Sequence, residues 1–112
     1  MLAAAVFDAT DRMPDGRRAA FADQMRRAAV SLNANLAEGE ARDTPRDRLR
    51  VFSIAWAELR ELTAHIELAG AVRALPEPEA ARLVAHCRHV GRMLYALRRA
   101  VAERAKRKPH DR

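Results

Sequence analysis

Six apolar residues, Leu83, Cys87, Val90, Leu94, Leu97 and Val101, recur at alternating spacings of four and three without a miss. A 3.5-residue repeat of this kind puts every member on one seam of a helix, which must then be buried against other helices. A strand cannot use the pattern, because its side chains alternate faces with a period of two. The chain is therefore expected to be helical here and to supply partner helices elsewhere.

Three breaks divide the rest of the chain: Met13-Pro14-Asp15-Gly16, Glu38-Gly39-Glu40-Ala41-Arg42-Asp43 and Leu75-Pro76-Glu77-Pro78. Each holds Gly or Pro, which punctuate helices. Between the first two breaks, Phe21, Met25, Ala28, Leu32 and Leu36 draw one apolar stripe, and Gly39 is expected to end that helix with a positive φ. After the second break, Thr44-Pro45-Arg46-Asp47 reads as a helix start. Thr44 caps, Pro45 fills the position whose N–H needs no partner, and Asp47 stands in for the usual Glu of a capping box. Leu49, Phe52, Trp56, Leu59, Thr63 and Ile66 form one stripe of this third helix. Val51, Ala55, Leu62, Ala69 and Val72 form a second, so it should meet neighbours on two sides. The first segment, with Leu2, Val6, Ala9 and Met13, supplies about three turns only. A partner that short leaves bundle surface uncovered, so either the start is truncated or something else covers that surface.

The expected fold is all-α, an antiparallel up-and-down four-helix bundle with a shortened first helix. The bundle should occupy residues 1–108, with a basic C-terminal tail at 109–112. Apolar residues make up 49% of the 112, enough to fill one core, and aromatics only 4%. Cys87 is the one cysteine, which excludes an intramolecular disulfide framework. The apolar opening Met1 to Phe7 is too short to span a bilayer and has no basic flank, so no membrane role is expected and the cytoplasm is the expected location.

The run Gln24-Met25-Arg26-Arg27-Ala28-Ala29-Val30-Ser31-Leu32-Asn33-Ala34-Asn35-Leu36-Ala37-Glu38-Gly39 resembles the pattern Q-[LIM]-R-R-A-[AS]-x-S-I-[PS]-[AS]-N-I-A-E-G of the four-helix-bundle proteins encoded in 23S rRNA intervening sequences. Arg42, Leu49-Arg50, Ile54-Ala55 and Glu61-Leu62 follow at matching distances. The resemblance implies an up-and-down four-helix bundle. It also implies similarity to the accessory variability determinant proteins of diversity-generating retroelements, which form five-fold rings and bind a reverse transcriptase and nucleic acid. By resemblance, then, the expected state is a homo-oligomer, with a pentamer as the implied form. Asn33 replaces the Pro of many members, and Ala57-Glu58 replaces the usual Gly-Ser. The first helix has about half the family's length, by the same three-turn reading.

Asn35 lies at the edge of the apolar stripe of its helix, where an amide needs partners. It reads either as a ligand or RNA contact or as a structural amide, and the structural role is favoured. A structural cluster of Asn35, Glu38 and Arg42, joined by Arg50 from the third helix, would brace the second loop. His86 and His89 are neighbours on a helix, but Cys87 belongs to the seam, so at most half a zinc site is present. Glu58 and Glu61 resemble paired carboxylates only by type and lack the Glu-x-x-His repeats of a di-iron bundle. They are expected to be solvated or paired with Arg60, Arg50 or His65. With no phosphate loop or nucleophile motif, neither an enzyme, a cofactor, a metal nor a small-molecule substrate is expected.

The formal net charge is +6. From Arg98 onward seven cations face two acids, so the last fifteen residues hold an excess of five. Arg98, Arg99, Arg104, Lys106, Arg107 and Lys108 are the candidate nucleic-acid-binding residues, although cations also suit the end of a helix for its dipole alone. Tyr95 is the one aromatic near them in sequence, so weak base stacking and a preference for structured RNA are expected. The chain thus reads as a non-enzymatic assembly module that binds structured RNA or an RNA-handling protein such as a reverse transcriptase. The alternative is a purely structural oligomer with a protein partner and no nucleic-acid role.

Overall fold

A computed structural model describes residues 1–13 and 18–107. Within them the chain forms four helices: α1 (Leu2–Asp11), α2 (Ala19–Ala41), α3 (Pro45–Ala71) and α4 (Glu77–Arg107). No strand occurs among the described residues, and the fold is an all-α four-helix bundle. The Pro14–Gly16 part of the first break, Lys108 and the 109–112 tail lie outside the described residues.

α1 packs on α2 and α4, and α3 packs on the same two from the other side. Asn35 meets Glu58, and further along Gly39 meets Phe52, so α2 and α3 run antiparallel. α3 and α4 are antiparallel too, with Gly70 beside Ala80, Leu59 beside Gly91 and Ser53 beside Arg98. Phe52, Met25, Leu62, Ile66, Leu94 and Val6 fill the core with almost no exposure. Four of the six seam residues of α4, Leu83, Cys87, Leu94 and Val101, are fully buried; Val90 is half-buried and Leu97 is 36% exposed.

α3 starts with the expected cap, but Asp47 does not complete a capping box: its carboxylate pairs with Arg50. The Thr44 hydroxyl accepts a hydrogen bond from the Asp47 N–H at 3.2 Å, and Pro45 is the first helical residue. Its second stripe is buried at Val51, Ala55, Leu62 and Ala69, but Val72 caps the helix end and is 53% exposed. There the helix closes in a Schellman motif. Arg73 takes the left-handed conformation (φ 61°), its N–H donates to the Gly70 carbonyl at 3.2 Å, and the Ala74 N–H donates to the Ala69 carbonyl at 2.8 Å. The tight turn buries Ala74 and Leu75 in the core.

Gly39 does not end α2. The helix runs on to Ala41, and no described glycine has a positive φ. Gly39 serves packing instead: a Cβ there would lie 2.5 Å from Phe52 Cε1 of α3.

α1 is tied in by Thr10, the one buried polar residue among those described. Its hydroxyl donates to the Val6 carbonyl at 2.9 Å and accepts from Arg26 Nε of α2 at 2.8 Å. Arg26 also lies over the Phe7 ring and pairs with Asp11 at 2.6 Å. Arg12 pairs with Glu79 at the start of α4. At ten residues α1 is about 15 Å long, against about 47 Å for the 31 residues of α4. No helix among the described residues is long and apolar enough to cross a membrane.

Candidate functional site

The four residues expected to brace the second loop do not form one cluster. Asn35 Nδ2 donates to Glu58 Oε1 on α3 at 2.7 Å, half-buried between the helices. Glu38 pairs with Arg42 one turn on, and Arg50 pairs with Asp47 of its own helix at 3.3 Å. The residue that reaches the loop from α3 is Arg48, whose Nε donates to the Arg42 carbonyl at 2.9 Å. The physical reason is helix phase. Asp47 and Arg50, three apart, are surface neighbours, while Glu58 lies on the α3 side that faces α2. Glu61 reaches His65 at 3.6 Å, one of the pairings expected for it; among the described residues Glu58 pairs with no cation and takes the amide instead. Among the described residues no three His, Cys, Asp or Glu side chains gather as a metal-holding group.

The cations at the end of α4 divide by face. Arg98 is half-buried, lies 5.5 Å over the Trp56 ring and reaches Ser53 Oγ at 3.5 Å. Arg99, Arg104, Lys106 and Arg107 are exposed, and among the described residues none of them makes an ion pair. Arg99 and Lys106 share a helix face with Arg88, Arg92 and Tyr95, at spacings of four, three, four and seven. Arg104 and Arg107 point off that face. Lys108 lies outside the described residues.

This stripe borders a cleft of about 870 Å³ on the outer side of the α3–α4 pair. Trp56 and Arg60 line it from α3, and Arg88, Arg92 and Tyr95 from α4. Glu67 is the one acid in its lining. Cys87 lies on the floor, where burial pushes its thiol pKa up. Tyr95 is 55% exposed. Sequence distance had set Tyr95 apart from any other aromatic, but the antiparallel α3–α4 pairing brings Trp56 to the same cleft. Arg88 and Arg92 were not singled out from the sequence, and Arg60 was expected only as a partner for Glu58 or Glu61. The four-three spacing of Arg88, Arg92, Tyr95 and Arg99 was the signal available for most of this surface.

No relative among curated proteins matches the chain. The 23S rRNA-intervening sequence protein family model matches residues 1–96, which spans α1 to α3 and most of α4 and ends before Arg98. With that match over most of its length and a helical bundle for its fold, this chain belongs to the 23S rRNA-intervening sequence protein family.

Proposed function

We propose that this protein is a non-enzymatic, homo-oligomeric binding module whose arginine-rich α4 contacts structured RNA. The carrying observation is the set of exposed cations, Arg99, Arg104, Lys106 and Arg107, without an ion pair among the described residues. Cations that have no partner within the fold are free to meet phosphates. Arg88 and Arg92 carry the same charge about three turns further back along the helix. In an oligomer, with five subunits the form implied by resemblance, these stripes repeat about an axis and weak contacts add through effective concentration. An RNA-handling protein such as a reverse transcriptase is a partner compatible with this surface, since both would gather on one RNA.

The test is a titration of a labelled hairpin RNA at several salt concentrations. It compares the wild type with a variant carrying Gln at Arg99, Arg104, Lys106 and Arg107. Each neutralised phosphate releases counterions, so affinity of the wild type falls steeply with salt. The variant binds more weakly, with a log–log salt slope shallower by about one for each phosphate it no longer neutralises. Equal affinities and equal slopes would overturn the RNA reading in favour of a structural oligomer with a protein partner.

A further inference from the structure

The structure points to the α3–α4 cleft as a subsite for one unpaired nucleic-acid base. We propose that Tyr95 and Trp56 receive a base extruded from a loop or bulge of RNA, while Arg60, Arg88 and Arg92 hold the flanking phosphates. This rests on the RNA reading above and adds to it what part of an RNA is gripped, and where.

Three observations converge. The first is the exposure of Tyr95, 55%, where it lines the cleft from α4. An aromatic ring that only filled the helix interface would be covered by it. The second is the pairing of aromatic and cation. Arg98 lies over the Trp56 ring at 5.5 Å and also meets Ser53, so the indole is held by α4 as well as by its own helix. Fixed aromatic surface loses little freedom when a base joins it, and base–aromatic stacking accepts any base because each has a π-face. The third is charge. Three arginines and one acid line the cleft, and among the described residues none of the three arginines makes an ion pair. Guanidinium groups offer planar forks of donors that suit phosphate oxygens. An apolar ligand or a hydrophobic peptide would gain nothing from them.

A-form duplex hides its bases in a groove that side chains do not read, so proteins take hold of RNA sequence elements at unstacked loops and bulges. A cleft of about 870 Å³ with aromatic walls and a cationic rim suits one such base with its neighbouring phosphates. The Arg99 and Lys106 positions on the same stripe would then follow the strand away from the cleft.

Trp56 is the only tryptophan of the chain, so its fluorescence reports this cleft alone. The experiment titrates the full chain with two hairpin RNAs of identical stem, one with a uridine loop and one whose loop sugars carry no bases. The expected result is quenching of Trp56 by the uridine loop only, and about tenfold tighter binding of that hairpin. Tyr95→Ala should bring the two hairpins to equal affinity with the salt slope unchanged, and Tyr95→Phe should restore the difference. Circular dichroism melts check that both variants fold, which the exposure of Tyr95 favours. If the wild type binds both hairpins equally but with strong salt dependence, the base subsite is overturned and the electrostatic RNA reading stands. If it binds neither, both fall. If Tyr95→Ala changes the subunit mass and leaves RNA affinity alone, the cleft belongs to a protein interface and the base subsite is overturned.

Discussion

Gly39 of α2 faces the ring of Phe52 of α3 with no room for a side chain between them; a Cβ would lie 2.5 Å from Cε1 and 2.7 Å from Cδ1. Phe52 is only 2% exposed, so its ring has nowhere to retreat. Two effects compete in Gly39→Ala. Helix propensity favours Ala by about 1 kcal/mol, and overpacking a full core costs about 1–3 kcal/mol. The clash should win, and the variant should lose up to about 2 kcal/mol in a denaturant melt. A gain in stability would show that α2 and α3 can part without cost at this point.

Arg73 presents the opposite case. It holds φ 61° without the freedom of glycine, in the position of a Schellman motif where glycine is preferred. The left-handed conformation costs an ordinary residue about 1–2 kcal/mol, while glycine brings back about 0.4–1 kcal/mol of unfolded-state entropy. Arg73→Gly is therefore expected to stabilise the protein by about 0.5–1 kcal/mol. The side chain is exposed and makes no ion pair among the described residues, so little else is lost. A thermal melt unchanged or lowered by the substitution would contradict this balance.

The Asn35–Glu58 hydrogen bond joins two helices across half-buried surface. Removing either side chain leaves the other without a hydrogen-bond partner, at a cost of about 1–3 kcal/mol. Removing both should cost less than the two single losses together. A double-mutant cycle with Asn35→Ala and Glu58→Ala should return a coupling of about 0.5–3 kcal/mol. Strict additivity would mean the two side chains act independently.

These cases show which parts of the fold were legible. The α4 seam and the Thr44 cap are local patterns, set by spacing within a few residues, and the structure repeats the cap and four of the six seam residues. The partner of Asn35 is not local. Glu58 stands 23 positions away, and only the register of α2 on α3 brings it near. Gly39 reads as a helix stop in isolation, because nothing in its own segment reveals the Phe52 ring. Leu75 lies in a turn beside two prolines, yet it is 1% exposed because the Schellman closure folds it inward. The α3–α4 cleft fails for the same reason as Asn35: Trp56 and Tyr95 belong to separate helices, and sequence distance hides their shared groove.

Cys87 gives a pH-dependent expectation. Burial disfavours the thiolate in the folded state and raises the pKa. Well below the ordinary thiol value of about 8.5 both states hold the proton and the residue adds no pH dependence. As pH rises through that value the unfolded chain ionises first, so stability is lost on the alkaline side. Cys87→Ala removes this loss. The stability difference between wild type and variant, measured from pH 7 to 10, should shift steadily in favour of the variant as pH rises. Taking the difference cancels groups that both proteins share. A constant difference across that range would show that the thiol is not desolvated by folding.

Association follows from an exposed apolar stretch of α4. Glu79, Leu83, His86, Val90, Met93 and Leu97 share one stripe of α4, with spacings of four, three, four, three and four. Arg12 pins the end of α1 to Glu79, and ten residues of helix reach about 15 Å from there. Met93 lies about 21 Å along α4 from Glu79, past that reach. Past the described α1, Met93 is 54% and Leu97 36% exposed among the described residues. Contiguous apolar surface of this kind marks contacts, so this chain is expected to be a homo-oligomer at micromolar concentration. Met93→Glu with Leu97→Glu should lower the mass seen by light scattering while leaving a folded, helical chain. Leu94, one residue from this stripe but 1% exposed, makes the contrast: Leu94→Ala should cost about 2–5 kcal/mol of core packing. A wild type of monomer mass would remove the oligomer, and a double variant that keeps the wild-type mass would move the interface to another face of the bundle.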